Sequence, residues 1–318
     1  DAVKGELAKP LDSMKDLVIV RSDGSPVFHL ANVCDDVTQG ITHIIRGDDH
    51  VENTYRHLFM FAALGAAPPC YGHLPMIVNS QGKPYSKRDG DAFVGDFRDK
   101  GFLPEALFNY LTLLGWSPGD DREKMTRAEL VAAFSLDRVQ QSAAQVDLRK
   151  LQNLNGQYLA ELPVAEFVAN CQRAAADLPW FPDADDATFQ QVAGLLQSRT
   201  KLFADVADWA YFFIETPEYD AKALRKFVAK GDTPAALMRL RERLADVDFA
   251  DLAALEAAVH AVEAACEIHE GKLNQPVRVA VTGCGVGAGV YETMTILGRD
   301  RCLQRLDHAL ALCASADN

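Results

Sequence analysis

Three stretches of the sequence carry residue types that could do chemistry. The first is Arg46-Gly47-Asp48-Asp49-His50, which follows the β-branched run at 41–45. In open parallel sheets, ligands bind at the carboxyl ends of strands. An arginine there offers a rigid donor fork suited to a carboxylate or a phosphate. Taken alone, the cluster reads equally as a solvated loop. The second stretch is the polar loop 79–88, where Lys83, Lys87 and Arg88 are interleaved with Gly82 and Ser86. Such a loop could close over a polyphosphate and stabilise charge developing on a departing pyrophosphate. Alone, it also fits a charged surface hairpin. The third stretch is Gly283-Cys284-Gly285-Val286-Gly287-Ala288-Gly289, behind the strand-like run 277–281. It fits G-x-G-x-x-A, but a dinucleotide fingerprint needs a full β-α-β unit. Residues 302–312 read as helix and leave no room for the returning strand. A flexible connection between helices is therefore expected at 283–289, and a dinucleotide-binding oxidoreductase is only a remote alternative.

Other reactive residue types form no such pattern. His29, His43, His73, His260 and His269 lack any metal spacing and are expected to be structural or solvent-facing. The seven cysteines (Cys34, Cys70, Cys171, Cys266, Cys284, Cys302 and Cys313) form no C-x-x-C pair. Neither zinc nor a disulfide framework is suggested, and the thiols are expected to be small buried hydrophobes. No apolar run approaches the ~20 residues of a membrane helix, and the longest, at 58–67, is interrupted by Gly65. Without an apolar signal core, a cytoplasmic location and no membrane partner are expected. The net charge of −13 is uneven, −2 over residues 1–90 and −11 over 91–318. That balance argues against a purely electrostatic nucleic-acid binder, yet a local basic face can still contact phosphates.

The elements that must position the first two stretches read as α/β. Residues 17–21 are strand-like, and Ser22-Asp23-Gly24-Ser25-Pro26 is a turn by its chemistry. A second apolar segment, 27–33, is closed by Asp35 and Asp36. Strand 41–45 then leads into Arg46, a helix spans 53–64 with Gly65 as its stop, and 73–78 is strand-like. From about residue 91 the pattern turns helical. Leu103, Leu107, Tyr110, Leu111 and Leu114 share a face, with Pro104 near the start and Gly115 at the end. Thr126 and Glu129 form a capping-box pattern. Further helices are expected at 164–176, 187–213, 221–229, 234–244, 252–270 and 299–313.

Taken in order, these segments resemble one family. Gly40-Ile41-Thr42-His43-Ile44-Ile45-Arg46-Gly47-Asp48-Asp49-His50, with Asn53-Thr54 after it, is similar to the central segment of glutamyl-tRNA synthetases. Arg21 to Pro26, Leu30-Ala31-Asn32-Val33 and Asp35-Asp36 fit upstream. Ser86-Lys87-Arg88 falls where the class I KMSKS-type loop belongs. Gly101-Phe102-Leu103-Pro104, Leu114-Gly115-Trp116, Lys150-Leu151 and Leu154-Asn155-Gly156-Gln157-Tyr158 continue the match. Gln275-Pro276-Val277-Arg278, Thr282-Gly283 and Leu297-Gly298 extend it into the C-terminal helical region.

The resemblance implies a partial Rossmann-like α/β half followed by an all-α region. Its domains would be the end of an acceptor-stem-binding insertion (1–16), the second half of a class I catalytic domain with the KMSKS-type loop (17–90), a stem-contact helical domain (91–158) and a helical anticodon-binding region (159–318). It implies ATP-dependent ligation of glutamate to tRNA(Glu) through glutamyl-adenylate, with tRNA needed even for the first step, by a monomer. Arg46 would hold the substrate side-chain carboxylate, with Asn32 and Phe28 in the same pocket. Asp49, His50, Met76 and Ile77 would border ATP. Ser86, Lys87 and Arg88 would form the mobile phosphate loop, with Lys87 nearest the transition-state charge. Mg²⁺ would arrive with ATP, held through phosphates rather than by a protein cage, and no zinc is expected.

The sequence also departs from the pattern. Phe28 stands where tyrosine is usual, and Pro84-Tyr85 replaces the first lysine of the loop, with Lys83 one position away. No H-x-G-H motif occurs, and Asp1 to Gly5 resembles the tail of the insertion. The sequence is therefore expected to start inside that insertion and to charge tRNA poorly by itself. A non-catalytic tRNA-binding module is the competing reading. The short paralogue that glutamylates a tRNA base lacks a counterpart to residues 160–318.

Overall fold

The computed structural model describes residues 1–88, 90 and 93–316. The chain divides into two compact units, Asp1–Leu154 and Asn155–Asn318. The first is α/β and the second all-α, as the periodicity implied.

In the first unit, α1 (Phe28–Gln39) precedes a β-α-β segment made of β1 (His43–Gly47), α2 (Val51–Ala63) and β2 (Cys70–Leu74). The two strands pair in parallel, with Ile44 opposite Tyr71 and Arg46 opposite His73. Residues two apart on a strand share a face, so these four side chains lie on one side of the sheet. Val33, Met60, Phe61 and Tyr71 form a core beside them, joined by Leu17, Ile44 and Ala66. Thus α1 and α2 cover the face that carries Arg46.

Several sequence expectations need correction here. Residues 27–33 are not a segment closed by two carboxylates. They open α1, which runs through Asp35 and Asp36 and stops only at Gly40, whose φ of 66° suits a left-handed cap. Short apolar runs do not distinguish strand from helix. Residues 17–21 contribute only an isolated bridge, Val20 to Pro26, beside the turn. The expected strand 73–78 is two pieces, β2 and β3 (Ile77–Val78), separated by Pro75 and Met76. Proline cannot donate to a ladder. Among the cysteines, only Cys171, Cys302 and Cys313 are buried, whereas Cys70 is exposed at the start of β2.

The rest of this unit contains α3 (Val94–Asp99), α4 (Pro104–Leu113), α5 (Arg127–Ala133) and β4 (Ala144–Gln145), which pairs in parallel with β3. Trp116, Met125 and Leu130 form its second core. The Thr126 and Glu129 side chains cap each other's backbone, as the capping-box pattern predicts.

Helix α6 (Leu148–Glu161) runs into the second unit, which holds α7 (Val164–Ala175), α8 (Asp186–Leu196), α9 (Ala221–Ala223), α10 (Thr233–Leu244), α11 (Leu252–Ala265), α12 (Asn274–Thr282), α13 (Val290–Leu297) and α14 (Arg299–Ala316). The expected helix 187–213 is broken after α8. The Asp205 carboxylate accepts from Lys201 and Leu202 N–H at 2.8 and 2.9 Å, starting a separate 3-10 helix at Phe203–Phe212. A turn of π-helix, Leu224–Val228, continues α9. The expected helix 252–270 ends at Ala265, and Glu267 adopts a positive φ of 56°.

The strand-like run 277–281 lies inside α12. Segment 283–289 therefore joins two helices, and the dinucleotide reading loses its strand. The connection is also tied down rather than loose. Gln275 donates to Gly285 O at 2.5 Å, Arg199 to Gly287 O at 3.0 Å, and Arg278 to Ala288 O. Gly283 has φ +79°, and a Cβ there would lie 2.1 Å from Glu218 O. Glycine at 283 is therefore required by backbone conformation and by this close approach.

Two buried polar groups make the fold's stability testable. Arg305, 1% exposed, donates to Glu215 O, Val281 O, Tyr211 O and Ile214 O at 2.5–3.0 Å. Arg305→Met should cost roughly 3–4 kcal/mol by orphaning buried carbonyls, on the order of 10 °C in Tm. Loss of the exposed Arg241–Asp307 pair through Arg241→Ala should cost less than about 1 kcal/mol. Thermal unfolding of both variants checks the contrast. In the first unit, fully buried His57 has its pKa pulled from 6.5 to about 4, first by burial and then by Arg46, His29, His50 and Arg56. The unfolded chain binds this proton more readily, so stability is complete above pH 6.5 and falls as pH drops towards 4. About 3 kcal/mol should be lost, and His57→Leu should flatten that part of a denaturation-against-pH curve.

Candidate active site

Arg46 sits at the end of β1, and each neighbouring element fixes part of its guanidinium. From β2, His73 Nε2 accepts from Arg46 Nε at 3.3 Å, and the Tyr71 ring lies 5.4 Å from the guanidinium carbon. Thr54 Oγ1 on α2 accepts from Nη2 at 2.6 Å, and His50 O, in the turn just before α2, accepts from the same nitrogen at 3.3 Å. Burial lowers the Arg46 pKa, while Tyr71, Asp36 and Asp49 oppose that shift. Among the described residues Arg46 forms no ion pair and Nη1 makes no hydrogen bond. A cation held by neutral acceptors, with two N–H groups left over, can take a carboxylate in the site.

The other predicted pocket residues lie on the helix facing it. Phe28, Asn32 and Asp36 are spaced i, i+4, i+8 and share one side of α1. Asn32 is half-buried, and Phe28 is 56% exposed, packed edge-on against His29 at 5.4 Å. Asp36 Oδ2 is buried without a hydrogen-bond partner. Burial raises the Asp36 pKa against the pull of Arg46. Gly47 lets the turn after β1 fold tightly, since a Cβ there would meet Asp49 Oδ1 at 2.6 Å. In that turn, Asp48–His50, His50 Nδ1 meets Asn53 Nδ2 at 3.0 Å and Asp49 is exposed. The structure therefore groups Arg46, Asp49 and His50 at one strand end.

Met76 is half-buried between β2 and β3, and Ile77 is exposed on β3. The loop beyond it is built on Asn79, whose Oδ1 accepts from Gln81 N and Lys83 N at 2.9 and 3.1 Å. Tyr85 N–H returns to Ile77 O at 2.9 Å. Ser86 Oγ accepts from Arg88 N–H at 3.3 Å, and the Lys87 and Arg88 side chains are exposed. Lys83, too, is exposed. Among the described residues no group of three or more His, Cys, Asp or Glu could hold a metal ion.

Sequence reasoning missed three residues that hold Arg46: Thr54, Tyr71 and His73. His73 was expected to be structural or solvent-facing. It is 1% exposed and bonded directly to Arg46. His29 and His57 meet at 3.1 Å, and burial lowers the pKa of both. The strand register was the available signal, because aligning the two runs places Arg46 beside His73.

Comparison with known proteins places this geometry in a family. Residues 1–153 match tRNA synthetases class I (E and Q), catalytic domain, and residues 166–310 match the anticodon binding domain. The glutamate–tRNA ligase of Thermobifida fusca is 41% identical over 98% of the chain and 66% of its own length. That of Salinispora arenicola is 40% identical over 96% of the chain and 67% of its own length. The chain thus spans about two thirds of the length of these curated relatives. A crystal structure of a glutamate tRNA ligase from Elizabethkingia meningosepticum, in complex with its amino acid, superposes with a TM-score of 0.78 at 27% identity, covering 98% of this chain and 65% of that one. With a catalytic-domain match, an anticodon-domain match and these relatives in register along it, the chain belongs to the glutamate–tRNA ligase family of class I tRNA synthetases.

Proposed function

We propose that the protein ligates L-glutamate to tRNA(Glu) at the expense of ATP. The observation that carries this reading is the Arg46 guanidinium, held at a strand end by neutral acceptors and lacking an anionic partner among the described residues. A side-chain carboxylate of glutamate completes it, with Asn32 and Phe28 on the neighbouring face of α1. Phe28 brings no hydroxyl, so Arg46 and Asn32 carry the polar contacts on that side. The α-carboxylate of glutamate then attacks the α-phosphorus of ATP, and pyrophosphate leaves. The terminal adenosine of tRNA attacks the resulting glutamyl-adenylate, releasing AMP.

Asp49, His50, Met76 and Ile77 border ATP in this reading. Ser86, Lys87 and Arg88 close on its phosphates, Lys87 meeting the charge that builds on the leaving pyrophosphate. Mg²⁺ enters with ATP, bound mainly through phosphate oxygens. Residues 1–16 belong to an acceptor-stem-binding insertion, 17–90 to the catalytic domain, 91–158 to a stem-contact domain and 159–318 to the anticodon-binding region. The protein acts as a cytoplasmic monomer. The match to an anticodon binding domain over 166–310 supports tRNA as the partner.

Glutamylation of total tRNA with labelled glutamate and ATP, assayed in the full-length protein, tests this. Charging should require ATP, and Lys87→Ala should lower kcat on the order of 100-fold with glutamate KM little changed. Tight tRNA binding without any ATP turnover would instead indicate a non-catalytic module.

A further inference from the structure

The Arg46 guanidinium is oriented from behind by a buried chain of groups. Arg46 and His73 stand opposite each other in the parallel pair. The His73 ring is 1% exposed, and its Nδ1 lies 2.5 Å from Oδ2 of Asp1, whose side chain is 3% exposed. The other oxygen of Asp1 accepts from His73 N, Val3 N and Lys4 N at 3.2, 2.9 and 2.8 Å. Ala2 N–H bonds Tyr71 O at 2.7 Å, so segment 1–5 is fastened along β2. A carboxylate with this many donors is fixed in place, and it can only accept.

Those partners decide the tautomer. With a carboxylate at Nδ1, that nitrogen carries the proton and Nε2 presents a lone pair. The lone pair faces Arg46 Nε–H at 3.3 Å and the Thr54 hydroxyl at 3.0 Å. A carboxylate in the place of His73 would orient Arg46 equally well, but it would neutralise the charge needed for an anionic substrate. A neutral imidazole orients without neutralising, and the formal negative charge lies on the far side of the ring, on Asp1.

We propose that His73, locked by Asp1, is a positioning residue that aims Arg46 at the substrate carboxylate. The proposal rests on the reading of Arg46 as the glutamate-binding residue. It assigns His73 no contact with substrate, so its effect is confined to glutamate recognition. Substituting Asp1→Asn would put an amide donor against Nδ1 and favour the opposite tautomer. Nε2–H would then confront Arg46 Nε–H, and the aim would be lost.

Steady-state kinetics and Tm of His73→Phe, His73→Gln, Asp1→Asn and Arg46→Ala in the full-length protein test this. His73→Phe and Asp1→Asn should raise glutamate KM 10- to 100-fold, with ATP KM within twofold. His73→Gln, which keeps an acceptor near Nε2, should recover most of the loss. The imidazole ¹⁵N shifts of His73 in Asp1→Asn should report the changed tautomer. If Arg46→Ala raises glutamate KM but folded His73→Phe and Asp1→Asn do not, the positioning role is overturned and the Arg46 reading stands. A parallel rise in both KM values that His73→Gln does not repair marks a merely structural residue and also overturns it. If Arg46→Ala leaves glutamate KM unchanged, the reading of Arg46 falls and takes this proposal with it. Should His73→Phe fail to fold, Asp1→Asn decides.

Discussion

A half-buried guanidinium without a carboxylate against it is costly, because burial penalises charge unless it is paired or fully hydrogen-bonded. Arg46 is such a group, and much of the first unit is organised around tolerating it. Its acceptors are an imidazole, a hydroxyl, a backbone carbonyl and the face of a tyrosine ring. Its field also reaches the neighbours. It adds to burial in holding His29, His57 and His73 neutral, and it opposes burial at Asp36. Burial is the larger cause at each of these groups, and the one positive charge adds to it at the histidines and works against it at Asp36. On the proposed reading, an incoming carboxylate would supply the anionic partner that Arg46 lacks among the described residues.

The second unit uses arginine for the opposite purpose. Arg305 gives its N–H groups to four backbone carbonyls, and Arg278 closes on Ala288 O. Burial lowers the pKa of both, as it does for Arg46. What separates Arg305 from Arg46 is the donors left over. Arg305 stitches α14 to the backbone at 211–215 and 281, whereas Arg46 keeps Nη1 unbonded among the described residues. Residue type and burial alone would not have told them apart.

The sequence made the division into an α/β front and a helical remainder legible, because periodicity changes near residue 91 and the capping and glycine signals are local. It also picked out Arg46, since an arginine directly after a β-branched run reads as a strand-end ligand. What it hid depends on non-local contacts. Residues 27–33 were ambiguous because a short apolar run has no distinct period, and only packing against Phe61 and Tyr71 settles it as helix. The run 277–281 is rich in valine yet lies in α12, where tertiary burial overrides propensity. His73 carried no such signal because its contacts come from strand register and from Asp1, 72 residues away in sequence.

The central claim is that Arg46 recognises the charge of the substrate side chain. The most direct measurement is the ratio of kcat/KM for glutamate over glutamine in the wild-type protein and in Arg46→Gln. The account predicts that the ratio collapses by about 100-fold or more, because the variant removes the charge that distinguishes a carboxylate from an amide. An unchanged ratio, in a variant that remains folded and active, would contradict it.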